Sequence, residues 1–150
     1  MYEVIPLKGV SPVLLGMSRE ESHAAMGVSP KTFRKSSDDA SLTDAYDEAT
    51  FQVFFDEKDA VEYIELSSGG AIPVLYKGLP VFETQADELI EIISQDAPYD
   101  ENDPELGYSY IFPLLELSLW RPAISEDEEE GRYFSTIGIG RKGYYSDGAI

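Results

Sequence analysis

The sequence predicts an α+β fold, and three observations carry the prediction. Apolar and polar residues alternate in several short runs, Phe51, Val53 and Phe55 most clearly, which is the period of a half-buried strand. Two segments, Ser18…Glu21 and Thr84…Asp87, set a hydroxyl three residues ahead of an acid, a helix-start signature. The surroundings of these segments also echo each other. Val4-Ile5-Pro6 recurs as Ala71-Ile72-Pro73, Pro12-Val13 as Pro80-Val81, and Ser18…Glu21 as Thr84…Asp87, at a spacing of 66 to 68 residues. One helix with a few strands buries too little alone. Two similar units, 1–70 and 71–150, are therefore expected to pack as one small domain, helices on one face of mostly antiparallel strands.

In chain order, Tyr2 to Leu7 reads as a strand, followed by Gly9 and Pro12 as punctuation. Ser18-Arg19-Glu20-Glu21 matches a capping box, so a helix is expected from about Arg19 to Met26, with Ala24, Ala25 and Met26 as its apolar residues and Gly27 as a left-handed stop. Residues 28–49 are polar, with a strand expected only near Phe33 and an acidic cluster of Asp38, Asp39, Asp44, Asp47 and Glu48. Phe51 to Ser67 reads as a hairpin turning at Asp56 to Ala60, with Ile64 and Leu66 on one face of the return strand.

The second unit opens with Ala71 to Tyr76 and a turn at Lys77-Gly78-Leu79-Pro80. A helix capped by Thr84 should run to about Ser94 and bury Ala86, Leu89, Ile90 and Ile93, which share one face at helical spacing. Residues 96–107 form an acidic loop broken by prolines. Tyr108 to Arg121 reads as one long strand in which Pro113 places a bulge or an edge, and the switch of the apolar face there is the signature of one extra residue. Glu126 to Glu130 is expected at a solvated hairpin tip, and Tyr133 to Gly140 as the last strand, which Tyr144-Tyr145 would extend.

Charge is the strongest functional signal. Eleven basic against 29 acidic residues give a net charge of −18. A field of that sign repels nucleic acid and anionic membrane and attracts basic partners; its simplest alternative role is solubility. Hydrophobic content of 43% suffices for a core. The chain has no cysteine, which excludes disulfides, thiol nucleophiles, Cys-ligated zinc and lipidation at an N-terminal Cys. With neither a signal-like start nor an apolar run near ~20 residues, a cytoplasmic location is expected.

No constellation specifies a reaction. Gly138-Ile139-Gly140-Arg141-Lys142-Gly143 fits G-x-G-x-x-G, but too little chain follows for the helix that a dinucleotide needs. His23 is the single histidine and reads as a packed or surface residue. Glu116, between Leu115 and Leu117, reads as the outward residue of an alternating strand. The acids at 96–105 lack calcium-loop spacing. Arg121, Arg132, Arg141 and Lys142 are expected to pair with the acidic tip. No enzymatic activity, metal or cofactor is therefore expected.

The stretch GVSPVLLGMSREESHAAMG, followed by a hairpin ending VEYIEL, carries Gly16, Ser18, Glu20, Glu21 and Gly27 in a helix-then-hairpin order. It resembles the unit of BamE-type outer-membrane assembly lipoproteins and of the tandem-repeat β-lactamase inhibitor proteins. That resemblance implies a protein-binding sheet surface with no active site of its own. In type, though through no particular residue, the chain also resembles small acidic immunity proteins that neutralise bacterial toxins. The expected role is then direct binding of a basic, nuclease-type toxin, with no nucleic acid or membrane partner. The expected contact residues are Asp96, Asp100, Glu101, Asp103 and Glu105 in one loop, Glu126, Asp127, Glu128, Glu129 and Glu130 in the other, and Trp120 if exposed. The rival readings are a ligand-binding protein or carboxylate enzyme with a pocket between the two units, and an assembly adaptor.

Overall fold

The alternating runs pair so that their apolar faces meet. The computed structural model describes residues 1–34, 41–125 and 127–145; Asp38, Asp39 and Glu126 lie outside them. In chain order the elements are β1 (Tyr2–Ile5), β2 (Gly9–Val10), β3 (Val13–Leu14), α1 (Arg19–Met26), β4 (Lys31–Phe33), β5 (Thr43–Tyr46), β6 (Phe51–Phe55) and β7 (Val61–Ser67). There follow β8 (Val74–Tyr76), β9 (Leu79–Pro80), α2 (Ala86–Ser94), β10 (Ser109–Phe112), β11 (Leu117–Trp120), α3 (Glu129–Arg132) and β12 (Thr136–Gly140). The α+β class is therefore as the sequence indicates.

The strands form two sheets. The main one has the order β10-β11-β12-β7-β6-β5-β4 and is antiparallel throughout; the smaller has the order β3-β2-β1-β8-β9. β1 and β8 pair in parallel, Tyr2 against Val74. Of the two stretches that echo in sequence, the first builds three strands before α1 and the second two before α2, and their opening strands β1 and β8 lie side by side. On the main sheet Phe51, Val53, Ile64, Leu66, Leu117, Leu119, Ile137 and Ile139 share the inner face. They pack with Val4, Val10, Val13, Tyr76, Val81, Leu89 and Ile93 in one core.

The capping box is present: the Ser18 hydroxyl accepts from the Glu21 backbone N–H, and the Glu21 carboxylate accepts from the Ser18 N–H, at 3.1 and 3.0 Å. Gly27 closes α1 with φ of 72°. The buried residue of this helix is Ser22, whereas Ala24 is exposed and Ala25 and Met26 are half-buried. Packing is instead supplied by Arg19, whose guanidinium lies 3.9 Å over the Phe55 ring.

Other expectations need correction. Thr84 does not cap α2. Its hydroxyl donates to the Pro80 carbonyl, and Gln85 holds the N-cap position with no side-chain bond. Ile90 is only partly buried, although Ala86, Leu89 and Ile93 are fully so. Residues 28–49 contain β4 near Phe33 as expected, but also β5, all of whose residues are buried. The single strand over Tyr108 to Arg121 is a hairpin. Pro113–Leu115 form a 3-10 turn, Glu116 takes φ of 50°, and β11 folds back on β10 with Phe112 opposite Leu117. Pro113 pre-sets the turn backbone, so the apparent change of face is a chain reversal rather than a bulge. Glu116 is consequently buried instead of outward. Residues 129–132 form the short α3 where a plain hairpin tip was expected. Tyr144 and Tyr145 do not prolong β12; they turn back over the outer face of the sheet.

Candidate functional site

The outer face of the main sheet carries the features the core does not explain. The face alternates with the core positions, so register alone assigns to it Trp120 and Ser118 on β11, Thr136 and Gly138 on β12, Glu65 and Tyr63 on β7, and Phe54 on β6. Its two ends form two distinct acidic regions.

The first is a corner where the loops before β10 and after β11 meet. Arg121 is buried there and donates from Nε to the Gly107 carbonyl (2.7 Å) and from Nη1 to the Gly131 carbonyl (2.8 Å). One guanidinium thereby fastens both loops, and its plane sits over Phe134 at 5.5 Å. Glu105 stands two residues before Gly107, and Asp127, Glu128, Glu129 and Glu130 lead into Gly131; all five are exposed. Trp120, 42% exposed, directly precedes Arg121 at the end of β11.

Not every expected contact residue belongs to this corner. Asp96 accepts from the Tyr76 hydroxyl and from Lys77 Nζ (2.6 Å), beside the β8–β9 turn. Lys77 first, then Tyr76, hold its carboxyl below the usual range. Asp100 accepts from the Asn102 N–H (2.9 Å), and Asp103 from the Glu105 N–H (2.9 Å) and the Ser109 hydroxyl (2.8 Å). Asp100 and Asp103 thus shape their own loop and Asp96 ties it to the β8–β9 turn, whereas Glu101 and Glu105 are exposed. Glu126 lies outside the described residues. The expected pairing with the acidic tip is corrected for Arg121 and Arg141: Arg121 bonds backbone carbonyls, and Arg141 reaches Asp56 (2.6 Å) and Glu62 (3.4 Å) at the other end of the sheet.

The second region is that other end. A groove of about 650 Å³ is lined there by Phe54, Asp56, Glu57, Glu62, Tyr63, Glu65, Arg141, Tyr144 and Tyr145, among others. Phe54 stacks on Tyr63 (5.4 Å between centroids, 23° between planes) and Tyr63 on Tyr144 (4.6 Å, 13°). β12 makes room for this row. A Cβ on Gly138 would lie 1.8 Å from the Tyr63 hydroxyl oxygen, and one on Gly140 would lie 2.5 Å from Tyr144. The Tyr145 hydroxyl is 3.0 Å from that of Tyr63 and 2.8 Å from that of Ser118. Burial pushes all three tyrosines up, Tyr144 to about 12, so they remain neutral at physiological pH. Burial also raises the Glu62 carboxyl, with Arg141 pulling against it. Asp56 is held low, chiefly by the Ala60 backbone N–H.

The sequence reading singled out none of the carboxylates of this groove. Its signals were Phe54 and Tyr63 at outward positions of the hairpin, and glycines at alternate positions of the last strand. Also missed was the anchoring of α1. Asp44 is fully buried and accepts from Arg19 Nη1 (2.9 Å) and the Thr32 hydroxyl (3.1 Å), with His23 Nε2 at 2.6 Å. This network ties α1 to β4 and β5, so His23 has a carboxylate partner that sequence spacing did not reveal.

Among the described residues no group of three or more His, Cys, Asp or Glu side chains is placed to hold a metal ion. Among them, too, no helix is long and apolar enough to cross a membrane. Compared with protein-family models, curated proteins and solved structures, the chain matches none.

Proposed function

We propose that this chain is a cytoplasmic acidic binding protein, of the immunity type, that blocks a basic, nuclease-type bacterial toxin by direct contact through its acidic corner. The observation that supports this reading is the convergence of two exposed acidic loops on buried Arg121, beside half-exposed Trp120. Carboxylates on exposed loops attract a basic cleft over distance, and a net charge of −18 strengthens that steering. The tryptophan supplies the apolar contact that gives such an encounter lifetime. The protein would work by occlusion, with no catalytic residue, cofactor or metal. The test is inhibition of a nuclease domain encoded beside this gene. The reading expects salt-sensitive binding and loss of nuclease activity, and lysine at Asp127, Glu128 and Glu129 together should abolish both. Unchanged inhibition by that variant would move the contact elsewhere.

A second reading is favoured by the groove: its tyrosine lining and the raised carboxyl of Glu62 suit a small ligand. Chain segments 41–65 and 141–145 both line it, so it draws on both halves of the sequence.

A further inference from the structure

We propose that the outer face of the main sheet docks an extended segment of another protein carrying two adjacent tyrosines, and that the chain's own Tyr144-Tyr145 fills this site as a displaceable strap. The contact involves neither the acidic corner nor a small ligand and is independent of both readings above. What the structure seats on the face defines the occupant. Tyr144 stacks on Tyr63, which Phe54 covers from its other side. Tyr145 meets Tyr63 edge-on, 6.1 Å between centroids, and its hydroxyl bonds those of Tyr63 (3.0 Å) and Ser118 (2.8 Å). Its backbone N–H donates to the Glu116 carboxylate at 3.4 Å. A stacked ring followed by a ring with a bonded hydroxyl describes adjacent tyrosines; a pair without hydroxyls leaves those contacts unmade. The site is built into β12. A Cβ on Gly140 would lie 2.5 Å from Tyr144, and one on Gly138 would lie 1.8 Å from the Tyr63 hydroxyl oxygen, so a side chain at either position closes it.

The strap is held differently from the strands beneath it. Gly140 and Arg141 donate backbone bonds to the carbonyls of Glu116 (2.8 Å) and Glu62 (3.0 Å). The Arg141 side chain pairs with Asp56 and Glu62, which fixes the base of the strap. Beyond that base, the backbone-to-backbone bond among the described residues is local, from the Tyr144 N–H to the Arg141 carbonyl. Gly143 turns the chain there with φ of 94°. Tyr144 and Tyr145 therefore rest on the sheet through rings, a hydroxyl and one N–H to a side chain. Lifting them breaks no rung between β11, β12 and β7, so the strap opens without unfolding the sheet. Opening uncovers one side of Tyr63, the Ser118 hydroxyl and the space over Gly140, which then receive the same pair of rings from another chain. Tyr144 is 39% exposed even when seated, so a competing segment reaches it from solvent.

The experiment compares two full-length, isotopically labelled chains by NMR, the unaltered one and the Tyr144→Ala, Tyr145→Ala variant. Each is titrated with the blocked peptide acetyl-Lys-Gly-Tyr-Tyr-amide. The signals of Tyr63, Ser118, Gly138 and Gly140 should shift in the variant. The unaltered chain should bind the peptide at least about tenfold more weakly, because its strap leaves only a minor population open. The analogue acetyl-Lys-Gly-Phe-Phe-amide should bind the variant about fivefold more weakly than the tyrosine peptide. A strap that only fastened the fold would give no gain in binding on losing its rings. Far-UV circular dichroism checks the fold of the variant, and a second measurement needs no variant at all. In the unaltered chain the Tyr144 amide should exchange through local opening, insensitive to urea, while the amides of β12 exchange only with global unfolding. Equal binding of the peptide by the two chains, no binding by the folded variant, or exchange of the Tyr144 amide only with global unfolding would overturn the displaceable strap. Equal affinity for the two peptides would overturn the assignment to tyrosine. Shifts caused in the variant by unlabelled unaltered chain but not by the peptide would make the occupant a second copy and overturn the proposed partner.

Discussion

The two ends of the main sheet are both acidic, yet they are built in opposite ways. At the corner the carboxylates stand exposed on loops, and the buried cation Arg121 donates to two backbone carbonyls. In the groove the carboxylates lie among aromatic rings, and the cation Arg141 sits between two of them. Exposed charge acts through long-range attraction and is screened by salt within about 8 Å at physiological ionic strength. Partly desolvated charge beside rings acts at short range and selects by shape. The same residue types thus stand in different settings, exposed on loops at one end and among aromatic rings at the other.

The comparison breaks most visibly at Arg121. Arg121→Ala leaves the Gly107 and Gly131 carbonyls without their donor and opens space beside Phe134. It should cost about 3 kcal/mol in urea denaturation and loosen both acidic loops together. Amide exchange should rise in residues 103–108 and 127–131 while the groove stays protected. At the other end, Gly138→Ala drives a methyl group into Tyr63. A loss of about 2 kcal/mol is expected, with a diminished near-UV circular dichroism signal from the displaced tyrosines and no change at the corner.

Smaller effects come from pH. The Glu62 carboxyl is raised by burial, so its contribution is complete below the ordinary carboxyl pKa and declines as pH rises through the raised value. Asp56 and Asp96 are lowered; their contributions hold above the ordinary value and disappear as pH falls through the lowered ones. Tm should therefore rise as pH falls toward the ordinary carboxyl range and decline again once pH falls below it. Glu62→Gln should reduce the rise and leave the acid limb. Smallest of all, lysine at Asp127, Glu128 and Glu129 should alter stability by no more than about 0.5 kcal/mol, because these exposed side chains stand away from the core.

Local rules made much of the fold legible. The capping box at Ser18 and the left-handed Gly27 are decided by adjacent residues, and both stand as the sequence indicates. The hairpin at 51–67 followed from alternation, since the inward set Phe51, Val53, Ile64 and Leu66 has no other way to be buried. Pro113 was read wrongly because a bulge and a reversal shift the apolar face alike, and only the pairing partner separates them. Thr84 failed as a cap because its hydroxyl finds the Pro80 carbonyl, a contact set by the turn before the helix. β5 was hidden by Asp44, a residue that normally marks a loop; its burial depends on Arg19, Thr32 and His23, which lie 12 to 25 residues away. The acidic loops were visible as composition, but their union was not, since it rests on one arginine reaching two carbonyls. The groove was least legible, because Tyr63 and Tyr144 are 81 positions apart and meet only once β12 has paired with β7.

The central claim is that the corner, and not the groove, carries attraction to a basic protein. The most direct measurement is calorimetric titration of a basic nuclease domain encoded beside this gene with three forms of the chain. These are the unaltered protein, the variant with lysine at Asp127, Glu128 and Glu129, and the Glu62→Gln, Glu65→Gln variant. Close charge pairs at such interfaces couple by about 1.5–7 kcal/mol, so charge reversal at the corner should weaken binding by at least about a hundredfold, while the groove variant binds as the unaltered protein does. Equal binding by the corner variant, or a loss confined to the groove variant, would contradict the account.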